Sequence, residues 1–113
     1  MAPGEICLAW FPFGDAPGAK LRPVLLLTGP MGPRPEVLAA YITSVLPRSP
    51  VPTDVILDPT DPEHSTTNLK VVSALRLHKL ATIHGASITR YLGRISPNTE
   101  AEVAIRLRAM LGL

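Results

Sequence analysis

Short apolar stretches, separated by breaks rich in proline and glycine, set the pattern of the chain. Glu5 to Trp10 predicts a first strand, and Phe11 to Lys20 a long Gly/Pro-rich loop. Pro23 to Thr28 predicts a second strand, whose unbroken apolar run implies burial on both faces. Glu36 to Thr43 predicts a third and Thr53 to Leu57 a fourth. Leu69 to Val72 and Ala74 to Leu77 predict a fifth, broken near Ser73. Lys79 to Arg94 reads as a turn, then a short helix or strand ending near Gly93. Strands this short and this regular suggest a small barrel.

The last segment predicts a helix. Ser96 is a good N-cap, and Pro97 fits the first helical position. Glu100 and Glu102 lie early, Arg106 and Arg108 late, as the helix dipole prefers. Val103, Leu107, Met110 and Leu111 recur at helical spacing as one apolar face. The expected class is therefore mainly β with helices (α+β).

Composition narrows this further. With 113 residues, 46% of them hydrophobic and 18% charged, the chain can bury a core, and disorder is excluded. The length predicts a single domain over 1–113, small enough to gain from forming a homodimer. Eight of the 13 prolines cluster in the breaks, at residues 30–35, 47–52 and 58–62, where a fixed φ and a missing donor suit loops. Mean hydropathy is +0.24, yet the longest clean apolar run, Val24 to Leu27, is far too short for a bilayer. Met1-Ala2-Pro3-Gly4-Glu5 lacks the basic and apolar regions of a signal peptide, so a cytoplasmic location is expected. The single cysteine, Cys7, sits in an apolar run and reads as a core thiol. A net charge of +2 permits nucleic-acid binding without requiring it. Aromatics at 4% argue against an extended base-stacking platform.

Familiar catalytic signatures are absent. The chain holds no phosphate-binding glycine loop, no dinucleotide fingerprint, no HExxH and no Gly-x-Ser-x-Gly elbow. His64, His78 and His84 lack the paired spacing of a zinc site, so neither a metal nor a cofactor is expected. Two features remain. Arg22 follows the glycine-rich loop at the start of a buried strand, with Pro23 stiffening the backbone after it; a guanidinium held this way suits a phosphate. Thr43 and Ser44 leave the third strand as a hydroxyl pair able to donate to phosphate oxygens. Taken singly, each also fits an ordinary solvated arginine, strand threonine or turn serine.

Their order along the chain carries more. Gly4-Glu5-Ile6 opening a strand, then Phe11-Pro12-Phe13, the glycine-rich loop and Arg22-Pro23, form one signature. Ile42-Thr43-Ser44 is the second. Leu69-Lys70-Val71-Val72-Ser73 with Leu77-His78-Lys79-Leu80 and Thr82-Ile83 is the third. Gly93-Arg94-Ile95-Ser96 before the final helix is the fourth. Over nearly its whole length the chain resembles the MazF/PemK toxins of type II toxin–antitoxin systems.

That resemblance implies an SH3-like small barrel with a C-terminal helix, and a homodimer. It implies a metal-independent, sequence-selective endoribonuclease on single-stranded RNA, whose catalytic pair carries over to Arg22 and Thr43. It also implies a partner, a small cognate antitoxin whose disordered C-terminal segment blocks the RNA site. Lys20 and Ser44 are candidate phosphate contacts, and Phe13 lies in the loop expected to set base specificity. Several relatives carry an acidic residue just before the Arg-Pro step; here Asp15 is the nearest carboxylate, and it also fits a turn after Gly14. His78 and His84 are a further possible acid–base pair, although surface or capping roles suit them too. Two other readings stay open. One is a non-enzymatic barrel module, such as a gyrase-binding toxin; the other is a degenerate relative that binds RNA or antitoxin without cleaving.

Overall fold

A computed structural model describes residues 1–12 and 20–113; Phe13 and Asp15 lie outside the described residues. Six strands form one antiparallel sheet: β1 (Glu5–Phe11), β2 (Lys20–Leu26), β3 (Glu36–Thr43), β4 (Asp54–Leu57), β5 (Ser73–His84) and β6 (Ile88–Arg94). Their spatial order is β4-β5-β3-β2-β1-β6, and helix α1 (Pro97–Leu111) follows.

Alternation along the strands explains the core. Ile6, Leu25, Ala40, Ile42, Val55, Leu57, Leu75 and Leu77 pack on one face, joined by Ile95 and Val103. Cys7, Ala9, Phe11, Val24, Leu26, Val37, Ala39, Tyr41 and Ile83 pack on the other. The run Val24–Leu27 thus serves both faces in turn, as an unbroken apolar strand must. Cys7 is a core thiol; burial first, then the Glu5 charge, pushes it up from its ordinary pKa against the pull of the N-terminal charge.

The helix forms as its signals predict. Ser96 accepts the Thr99 N–H at 3.1 Å, Pro97 opens the first turn, and Gly112 ends the helix at φ 72°. The buried stripe is narrower than the spacing suggested. Thr99 and Val103 are buried and Leu107 is half-buried, but Leu111 is exposed. Arg106 does not simply complement the helix dipole. It binds Glu102 one turn back and donates to the carbonyl of Pro52 in the loop before β4.

Three segments depart from the sequence expectation. Strand β2 begins at Lys20, so Arg22 lies within the strand, opposite Ala9 of β1, rather than at its mouth. The stretch expected as the start of the fifth strand is coil, preceded by a 3-10 turn at Pro62–Thr67. Strand β5 instead runs on through the ambiguous region, and a short turn at Gly85–Ser87 leads into β6. Periodicity fails along β5 because the strand is bulged. Tyr41 pairs with Arg76 but Ala40 pairs with Leu80, leaving residues 77–79 without partners on β3. Leu77 still turns into the core, and its N–H donates to Thr53 O.

The two edge strands, β4 and β6, are joined by the 62–68 segment. Thr66 Oγ1 donates to Arg94 O at 2.8 Å, and Asn68 Nδ2 donates to Leu92 O at 2.7 Å. Asn68 holds the left-handed conformation, φ 56°, that ends the turn. Gly93 permits this approach: a Cβ there would lie 2.2 Å from Thr66 O and 2.7 Å from Thr67 O. This seam draws the sheet round into a barrel.

Gly93→Ala should cost about 3 kcal/mol, as expected when added atoms force packed backbone apart, and should lower the urea midpoint accordingly. Asp54 supplies a second test. Burial alone would raise its carboxyl pKa, but the hydrogen bond from Arg76, the Val51 N–H and the charges of Arg76 and His78 outweigh it and hold the carboxyl below the ordinary carboxylate range. The unfolded chain then takes up this proton more readily than the folded one. The stabilisation is complete above the ordinary value of about 3.9 and is lost as pH falls through the lower folded value. Urea titrations at descending pH should show that loss in the wild type, and Asp54→Asn should remove this component of it.

Candidate active site

Strands β2 and β3 bring the two predicted catalytic residues together. Val24 pairs with Tyr41 and Leu25 with Ala40; continued by two residues, the same register sets Arg22 opposite Thr43. By alternation both side chains share the face of Val24 and Tyr41. The Arg22 NH1 donates to Tyr41 Oη at 3.1 Å, and its Cζ lies 5.2 Å from the Tyr41 ring centroid. Its Nε is buried without an acceptor among the described residues. A buried, unmatched donor on a cation costs free energy, and an incoming anion would supply the missing acceptor.

Thr43 is prepared in a complementary way. Its Oγ1 accepts the Val45 N–H at 3.1 Å, a short turn that fixes the hydroxyl oxygen and leaves its proton to donate. Ser44 follows, exposed, and borders with Arg22 and Thr43 a cleft of about 510 Å³. The cleft is walled by Leu8, Leu21, Ile42, Leu69 and Leu92, and Lys70 and Arg90 also line it. Its lining is thus apolar with added positive charge. Lys20 is exposed at the head of β2, two residues from Arg22 and on the same face, but outside the cleft lining.

The two histidines do not meet as a pair. His78 Nδ1 lies 2.6 Å from Thr53 Oγ1, whereas His84 Nδ1 lies 4.0 Å from Glu36 Oε2. Ser73 is buried, donates to Val71 O, and is structural at its hydroxyl. Among the described residues no three His, Cys, Asp or Glu side chains gather as a metal site, and no helix is long and apolar enough to cross a membrane.

Sequence reasoning missed Tyr41, Lys79 and the Asp54–Arg76 pair. Tyr41 carried a signal, since it lies two residues before Thr43 and so shares its face. Lys79 carried none. Its Nζ lies 5.4 Å from the Tyr41 ring centroid, in the bulged stretch of β5. Arg76 holds the buried Asp54 through Nε to Oδ1 at 2.8 Å.

Solved structures share this architecture. The Mycobacterium tuberculosis toxin MazF-mt6 superposes with a TM-score of 0.72 at 22% identity, covering 96% of this chain and 97% of that one. An endoribonuclease in complex with its cognate antitoxin, from a mycobacterial species, gives 0.69 at 21%, covering 100% and 96%. MazE–MazF from Deinococcus radiodurans gives 0.69 at 20%, covering 100% and 97%. At such identities the likeness establishes the fold. No curated protein sequence matches the chain. The family model for the PemK-like, MazF-like toxin of type II toxin–antitoxin systems matches residues 2–111, and the chain belongs to that family.

Proposed function

We propose that residues 1–113 act as one toxin domain, a metal-independent, sequence-selective endoribonuclease that cleaves single-stranded RNA and so inhibits translation and growth. The observation that carries this reading is that Arg22 and Thr43 stand side by side in the β2–β3 register, with an Arg22 donor unmatched among the described residues. Relatives of the same fold support it, one of them an endoribonuclease bound to its cognate antitoxin. A cognate antitoxin, a homodimer and a cytoplasmic setting belong to the same proposal.

The chemistry follows from the substrate. RNA carries its own nucleophile, so the 2′-oxygen attacks the adjacent phosphorus and the P–O5′ bond breaks. The 2′-hydroxyl loses a proton and the leaving 5′-oxygen gains one. The products are a 2′,3′-cyclic phosphate and a 5′-hydroxyl. Arg22 is suited to the charge that grows on the phosphoryl oxygens, because its fork is preset by Tyr41 and need not reorganise. It is no general base, since guanidinium stays protonated. Thr43 donates to a phosphoryl oxygen and fixes the in-line geometry. Lys20 and Ser44 would extend the contact along the strand.

The test is cleavage of a long single-stranded RNA in EDTA, with mapping of the product ends. Fragments with 5′-hydroxyl termini are expected. Arg22→Ala should reduce the rate at least about 10²-fold, as removal of one preorganised charge-stabilising donor does, and Thr43→Ala should also reduce it. RNA left intact by folded wild-type protein at high concentration would sink the enzymatic reading and favour a binding toxin or an inactive relative.

A further inference from the structure

The Tyr41 ring carries two cations. Arg22 Cζ stands 5.2 Å from its centroid and Lys79 Nζ 5.4 Å. The arginine comes from β2 and the lysine from the bulge in β5, on opposite sides of β3. Like charges converging on one ring repel, and the ring quadrupole offsets that only in part. Among the described residues neither cation has a carboxylate partner. The carboxylate on the adjoining strand, Asp54, is already held by Arg76 through both oxygens. Asp54 therefore does not compete for Lys79, and among the described residues no carboxylate compensates the positive charge around Tyr41.

We infer that Lys79 is a second phosphate-binding residue, which with Arg22 forms a two-cation seat for the RNA backbone on Tyr41. This rests on the ribonuclease reading and adds a residue to it. Arg22 takes the scissile phosphate beside Thr43. Lys79, on β5 across β3 from Arg22, takes a neighbouring phosphate and binds it alike before and during the reaction. Tyr41 is a positioning residue: its hydroxyl orients Arg22 and its ring seats both side chains. A compact ammonium on a flexible stem suits a contact that holds charge without dictating geometry.

The experiment measures kcat and KM on one defined single-stranded RNA in EDTA across a series of salt concentrations. The variants are Lys79→Gln, Lys79→Met, which keeps the apolar stem on the ring, and Lys79→Arg. Loss of one phosphate contact to a single strand lowers the slope of log affinity against log salt by about 0.7. Lys79→Gln and Lys79→Met should show that change, with KM raised on the order of tenfold at low salt. Their kcat should stay near that of the wild type, and Lys79→Arg should restore the slope. Lys79 is half-buried, and thermal melts identify any variant that fails to fold. If both neutral variants fold and keep the wild-type KM and salt slope, Lys79 does not contact phosphate and the inference is overturned. If the wild type itself does not cleave RNA, the ribonuclease reading fails instead, and the two failures are told apart by that one control.

Discussion

The close contact between Gly93 and the carbonyls of Thr66 and Thr67 is the constraint on which the rest of the molecule depends. An antiparallel sheet of six strands has two edges, each with unpaired backbone groups. Here a short turn crosses from one edge to the other and satisfies groups on β6 with the side chains of Thr66 and Asn68. The wall of the cleft that holds Asn68, Leu69 and Lys70 is the continuation of that turn. The seam that rolls the sheet therefore also builds one side of the cleft.

Within that frame, the site is a matter of register. Arg22 and Thr43 meet because β2 and β3 pair with Val24 opposite Tyr41, and a slip by one residue would put the two side chains on opposite faces. Tyr41 then ties the strands together chemically, through a hydroxyl toward β2 and a ring shared with β5. Arg76 and Asp54 neutralise each other one strand further out. Positive charge is thus gathered around Tyr41 and cancelled between β5 and β4.

Much of this was legible in the sequence, and the reasons are specific. The strands with clear alternation or unbroken apolar runs, β1, β3 and β4, were found with nearly correct limits, as was the helix with its serine cap. Strand β2 was found with its start misplaced. Lys20-Leu21-Arg22 reads as polar loop, because an exposed first half hides a strand that β1 pairs in full. The long β5 was hidden by its bulge, which breaks the period of two at residues 77–79. The same bulge hid Lys79, whose position beside Tyr41 is a tertiary fact with no local mark. Arg22 and Thr43 were picked out by their place in a chain-long pattern; their pairing across two strands became visible only in the register.

The loop that leaves Thr43 is anchored at three points. Thr43 fixes its start through Val45, Asp54 holds Val51 near its end, and Arg106 of the helix grips the carbonyl of Pro52. Between these points it displays Val45, Leu46 and Val51 to solvent. The helix thereby braces, through Arg106, the far end of the span that begins at Thr43. A chain that lacked Arg106 would lose this brace on Pro52, one of the three holds on the span that begins at Thr43.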